Sequence, residues 1–486
     1  MHDTVWYGFP MRAKFYNLLI CATLCGCATV PKLGETPAIR GPASLATAQS
    51  FAAPVIEFPP DAWWALLNDP ALTGLIEEGL RNAPDVALVT SRVRAAEALA
   101  LQAGAARAPQ VSTDASVGGE KLSQNRGFPP QFIPDNLLSE GRIAGSASFD
   151  PDLWGKNRAA LAAATSEAQA ARVDAAQAAL MLSTAIATAY GELWQYYADR
   201  DVALAALRIR TASESLTAAR VKNGLDTLGE LRLAQSRTAG ARGAVGGIDE
   251  AIILSRNRIA ALVGAGPDRG LSIARPLLAS RNGLGLPENL SLNLLGRRPD
   301  LVAARLRAEV AAYRIKVAKA DFYPDIKFSA VAGLQSIGLD TLFKSTSTFA
   351  TFGPALRLPI FDGGAIAARY RGARANYDGA VAHYDATLVG ALHEVADVIV
   401  RKRALVGRLA DANASLAAAK DAQRIMTLRY KEGLANQLQL LVSEDATINA
   451  ERDAVRLTGL AILLDLDLIR ALGGGFEDRI SNGNPK

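Results

Sequence analysis

The chain has 486 residues, half of them hydrophobic, 6% aromatic and 21% charged, with a formal net charge of +5. No long basic run interleaved with aromatics is present, which argues against nucleic-acid binding. Three histidines outside any HExxH or His/Cys cluster, and only four methionines, point to no metal and no cofactor.

The three cysteines, Cys21, Cys25 and Cys27, all lie in the leader, so no disulfide framework can staple the body. Arg12 and Lys14 precede an apolar run from Phe15 to Leu24 that is too short to stay in a bilayer as a spanning helix. Residues 1–26 read as a signal peptide, translated from Met1 or Met11. Leu24-Cys25-Gly26-Cys27 resembles the bacterial lipobox, which would make Cys27 the first mature residue and the site of lipidation; an ordinary signal peptide ending near Ala28 is the other reading. Two or more acyl chains on Cys27 suffice for stable attachment to outer-membrane lipid. Residues 27–60, rich in Pro, Gly and Ala, then form a lipid-anchored tether.

A first structural unit is expected over 61–264. Trp63 to Asn82 is a short helical segment interrupted at Pro70, and Pro84-Asp85 opens a helix that Pro109 ends. Residues 110–120 alternate Val111, Thr113, Ala115 and Val117 against Ser112, Asp114, Ser116 and Glu120, and 142–150 alternate again, so a strand hairpin is predicted with a loop at 121–141. From Lys156 to Lys222 only Gly191 interrupts a proline-free run, which as a helix would be roughly 100 Å long. Ala159 to Tyr190 holds fifteen alanines in 32 residues, favouring helices packed at close range. The helical hairpin covers about 156–263, turning at Asn223-Gly224.

After a Gly/Pro-rich linker at 265–287, the order repeats over 288–473, with a tail at 474–486. Shifted by 215 positions, Pro84-Asp85 falls on Pro299-Asp300, Arg92 on Arg307, Pro109 on Pro324 and Gly118 on Gly333. Strands are predicted at about 325–335 and 349–361 and a helical hairpin at about 364–472. Its tip matches the first at an offset of 209, Arg220 to Leu225 over Arg429 to Leu434. A repeat of about 200 residues must be recognised before any fold is assigned.

Strands of about ten residues, apolar on one side and more polar on the other, have the length and alternation of membrane-barrel strands. Four cannot close a barrel, and open edges do not occur in lipid. Several chains must each contribute four. Three chains would enclose an aqueous lumen; two would close a barrel mostly filled by side chains. The fold class is therefore mainly α with a membrane β-barrel, the helices continuing beneath as a coiled-coil barrel.

These residues resemble the TolC family of outer-membrane efflux channels, in its lipid-anchored, NodT- and OprM-like branch. The markers are the lipobox at Cys27, Trp63-Trp64 with Asp69-Pro70, Arg297-Arg298-Pro299-Asp300, Phe322-Tyr323-Pro324, Phe361-Asp362-Gly363-Gly364 and Ala471-Leu472-Gly473-Gly474-Gly475-Phe476. The resemblance implies a homotrimeric channel, twelve strands in the outer membrane over a periplasmic helical tunnel. It also implies two partners, a periplasmic adaptor and an inner-membrane pump. It places adaptor contact at Gly224, Leu225, Gly433 and Leu434. It places the periplasmic aperture past the tips, where the family's usual aspartates are replaced by Gln439 and Val442 and the first copy keeps Glu230. A lipid-anchored coiled-coil spacer without a pore is the alternative. No enzyme is expected: acidic pairs such as Glu77-Glu78 and Glu444-Asp445 read as solvated helix faces, and no nucleophile-base set is visible.

Overall fold

Proline opens and glycine closes the helices at matching places in both halves. The computed structural model describes residues 30–478 apart from 122, 124, 126–128, 130, 132, 134–135, 280–285 and 289; the predicted leader and Cys27 lie outside the described residues. In chain order the elements are α1 (Pro70–Asn82), α2 (Pro84–Ala105), β1 (Gln110–Glu120), β2 (Leu138–Phe149), α3 (Lys156–Lys222) and α4 (Leu228–Leu262). Then come a single turn α5 (Asp268–Leu271), α6 (Leu290–Arg297), α7 (Pro299–Ala320), β3 (Asp325–Ile337), β4 (Thr348–Arg357), α8 (Ala365–Lys431) and α9 (Gln437–Ala471). Equivalent helices have equal lengths: 22 residues for α2 and α7, 67 for α3 and α8, 35 for α4 and α9.

Local chemistry sets these ends. Pro84 and Pro299 stand at the first helical position, where a missing N–H costs nothing. The Asp69 carboxylate caps α1 by accepting from the amides of Ala71 (2.9 Å) and Leu72 (3.1 Å). Gly473, at φ +90°, ends α9, and a Cβ there would lie 1.9 Å from the Arg297 carbonyl oxygen. Its counterpart Gly264 meets the Asn82 carbonyl in the same way. Only glycine suits both the left-handed turn and that approach.

The strands form one antiparallel sheet in the order β1-β2-β3-β4. β2 begins at Leu138 rather than Arg142, because Leu138 and Glu140 find partners in Glu120 on one side and Ile337 on the other. β4 stops at Arg357, short of Phe361, because Arg357 already pairs with Asp325, the first residue of β3. Strand ends here follow the neighbour, not the strand's own alternation.

The chain divides into two compact units, neither of which is one repeat. The first takes the residues up to Ala38, Arg94–Gln169 and Arg305–His383, and so holds the sheet. The second takes Ile39–Val93, Ala170–Ala304 and the chain from Tyr384 onward. Its core has one cluster around Trp63, Leu72, Ile76, Tyr190 and Ile259, and another around Leu294, Leu301, Leu388, Ile399 and Leu472. The segment read as a tether is partly laid down: Leu45, Phe51, Ala53 and Phe58 pack on the second cluster, and Val55 bridges Leu286. The inter-repeat linker is likewise anchored, with Ile273 and Leu278 buried.

Two buried polar residues fasten this second unit. Besides capping α1, Asp69 accepts from the Tyr190 hydroxyl (3.0 Å) and the Leu277 amide (3.1 Å). Burial, then the Asp69 charge, pushes the Tyr190 phenol up. Arg298 donates to Asp300 (2.7 Å), Glu394 (2.8 Å) and the Ala471 carbonyl (3.0 Å), joining the starts of α7 and the end of α9 to α8. The first copy has Ala83 at the equivalent position, so this fastener exists once.

Candidate functional site

The sheet has two chemically opposed faces. Register places Val111, Val117, Ile143, Ala147 and Phe149 on the side of Phe328, Ala330, Leu334, Phe352 and Leu356. Val111 is 77% exposed and Phe352 87% exposed, so most of this apolar face is open; Leu339 and Leu342 meet it only at the Gly141 end. The opposite face carries Ser112, Asp114, Glu140, Arg142, Ser146, Lys327, Ser329, Gln335 and Arg357. Its side chains bond across strands: Ser112 to Ser146 at 2.7 Å and the Gln335 amide to Glu140 at 3.3 Å. Arg142 lies over the Phe349 ring at 5.1 Å. β1 and β4 are the edges, each paired on one side only, which leaves two rows of backbone donors and acceptors free to pair with another chain.

The second unit carries the two helical tips. Gly224 (φ +73°) and Gly433 (φ +74°) take the left-handed conformation at the ends of α3 and α8. At each tip the next residue's amide closes back on the last turn: Leu225 to Arg220 O at 2.9 Å and Leu434 to Arg429 O at 2.7 Å. Leu225 and Leu434 are 63% and 69% exposed, so both tips present an apolar side chain outward.

The tips are also tied together. The Tyr430 hydroxyl donates to Asp226 at 2.8 Å, and Arg220 donates to the same oxygen at 2.9 Å while stacking over the Tyr430 ring at 4.7 Å. Burial, then the bond to Asp226, pushes the Tyr430 phenol up. Gln437 adds a bond from its side-chain amide to the Thr217 hydroxyl at 2.9 Å.

Glu230 and Gln439 occupy the third position of α4 and α9 and complete equivalent capping boxes. Glu230 accepts from the Thr227 amide at 2.6 Å, and Gln439 from the Asn436 amide at 3.0 Å. Both are thus committed to their own helix starts. Leu438, 64% exposed, stands free on the first turn of α9 and Val442, 60% exposed, on the next.

Glu444 is not on a solvated face, contrary to the sequence reading. Its side chain is 4% exposed and pairs with Arg210 of α3, whose side chain is 7% exposed. Arg210 also holds Asp445, which pairs in turn with Arg237 of α4 at 2.9 Å. Burial pushes the Glu444 carboxyl up, Arg210 opposing it. The acidic pair divides its contacts: Glu444 pairs with α3 alone, while Asp445 bridges α3 and α4. Helical periodicity could not show this, since a carboxylate on an amphipathic helix looks the same whether water or an arginine faces it. Asp226, Tyr430, Arg220 and Arg210 were likewise missed. The one available signal was an acid and a basic residue flanking each Gly-Leu tip.

Comparison with known proteins adds the family. The model described as outer membrane efflux protein matches residues 75–265 and 290–474, the two repeats. The chain is 28% identical over 480 residues to the multidrug resistance outer membrane protein MdtP of Escherichia coli, covering 96% of this chain and 98% of that one. It is 34% identical to the fusaric acid resistance protein FusA of Burkholderia cepacia over 65% of this chain and 60% of FusA. Among solved structures it is similar to the outer membrane protein VceC of Vibrio cholerae, at 41% identity and a TM-score of 0.81 over 86% of this chain and all of VceC.

Proposed function

The chain belongs to the outer membrane efflux protein family, and from that premise we propose that three copies build a passive outer-membrane duct through which small molecules leave the cell. The observation that carries this is the sheet. Four antiparallel strands of 10 to 13 residues, apolar on one face, polar on the other and open at both edges, are a barrel segment that needs copies of itself to close. β4 of one copy pairs with β1 of the next, the apolar face meets lipid, and the polar face lines water. Among the described residues no helix is long and apolar enough to cross a membrane.

No step is chemical. Transport energy comes from an inner-membrane pump, coupled through a periplasmic adaptor that meets the tips at Gly224, Leu225, Gly433 and Leu434. The exposed leucines supply an apolar contact and the glycines allow close backbone approach. Past the tips Val442 narrows the bore, with Glu230 and Gln439 holding the helix starts that frame it. Cys27 carries the lipid anchor.

Purified protein added to planar bilayers should give discrete conductance steps, and cross-linking should trap a trimer. A protein that stays monomeric and silent in bilayers would instead be the non-conducting spacer. Deleting the gene should raise accumulation of dyes and antibiotics; unchanged accumulation with every resident pump expressed would count against the duct.

A further inference from the structure

Where the sheet gives way to helices, the first unit has a groove of roughly 570 Å³ between the start of α3 and the end of α7. Trp154 stacks on Tyr323, ring centroids 4.8 Å apart at 17°, and donates its indole N–H to the Pro324 carbonyl at 2.7 Å. The indole is held in place yet Trp154 remains 49% exposed. The charged side chains lining the groove are all cationic: Arg158, Lys316 and Lys319. Arg158 is already neutralised by Asp152 at 3.3 Å. Lys316 sits over the Tyr313 ring at 4.9 Å, and neither it nor Lys319 has a carboxylate partner among the described residues. The nearby acid Asp321 is engaged by Lys156 at 2.7 Å and Arg369 at 3.8 Å.

We propose that this groove binds the headgroup of an anionic phospholipid in the periplasmic leaflet of the outer membrane. Lys316 and Lys319 would take the phosphate, and the Trp154–Tyr323 stack would rest at the level of the glycerol. Three observations converge on this occupant. Leu153 and Trp154 follow β2 within five residues and Tyr323 lies two residues before β3, so the groove begins where the membrane strands end. Exposed Trp and Tyr collect at that depth because each ring has an apolar body and a polar edge. Two lysines without acidic partners leave positive charge that a lipid phosphate neutralises. The groove also adjoins the ends of the two central strands, after β2 and before β3, and so lies away from the sheet edges that neighbouring copies would cover.

The inference rests on the membrane placement proposed above. It is tested on the full-length trimer in detergent by native mass spectrometry, titrating dioleoyl-phosphatidylglycerol and, separately, dioleoyl-phosphatidylethanolamine. Phosphatidylglycerol should be retained preferentially. Lys316→Gln with Lys319→Gln should weaken it about 25-fold, near fivefold for each lysine, and should weaken phosphatidylethanolamine, whose ammonium already offsets its phosphate, by much less. Excess inorganic phosphate should not displace the lipid. Wild-type-like retention in the double variant overturns the proposal, as does displacement by phosphate, which would mark a free-anion site. Conductance separates the two levels: a double variant that conducts but keeps its lipid refutes the groove alone, whereas a wild-type protein that never conducts refutes the membrane reading.

Discussion

Arg210→Met is the most informative perturbation, because it leaves the Glu444 carboxylate buried without its main partner. Removing one member of a buried ion pair costs about 3–5 kcal/mol, most of it the desolvated charge left behind. Arg237 stays with Asp445, so the loss is concentrated where α9 packs on α3. Burial already pushes the Glu444 carboxyl up from its ordinary value, and losing Arg210, which opposes that, pushes it further. A carboxyl whose folded pKa exceeds its unfolded one binds more protons when folded. The variant's deficit is therefore fully expressed above the raised folded pKa and shrinks as pH falls through it toward the unfolded value. Hydrogen exchange followed by mass spectrometry on peptides spanning residues 438–450 reads the local opening. Corrected for intrinsic rates, exchange at pH 8 should accelerate by roughly two to three and a half orders of magnitude, with a smaller effect near pH 5. Adding Glu444→Leu should restore protection, since an apolar pair in place of a buried ion pair is often neutral or stabilising. Unchanged protection in Arg210→Met at pH 8, or no rescue by Glu444→Leu, would refute the reasoning.

Gly433→Leu forces a side chain to φ +74°, a cost of about 1–2 kcal/mol at the tip, and should impair efflux while trimers still form; normal drug resistance would remove the tip from the docking proposal. Phe352→Arg, at the exposed apolar face, should lower insertion of trimers by about 2–4 kcal/mol if the position is near mid-bilayer, whereas Ser146→Arg on the polar face should insert and change conductance; equal insertion of the two would invert the assignment of faces. Cys27→Ser should abolish incorporation of radiolabelled palmitate, and a variant still labelled would place the anchor elsewhere.

The fold class could be read from the chain because its signals are local and stated twice. Pro84 and Pro299, the alternation at 110–120 and 325–335, and the Gly-Leu tips each report a constraint within a few residues of themselves. Tertiary structure decided which groups meet. Asp226 finds Tyr430, Arg210 finds Glu444 and Arg298 finds Glu394 across separations of 204, 234 and 96 residues, in pairs that differ between the two copies. Periodicity reveals which side of an element is apolar, but not what faces its polar side. The same limit explains the strand ends, since β2 gains Leu138 and β4 loses Phe361 according to the length of a neighbouring strand. Whether a carboxylate such as Glu444 meets water or an arginine depends on where a helix from another part of the chain is packed. That is a property of the assembled core, because burial and long-range pairing come into being only when distant segments exclude solvent together.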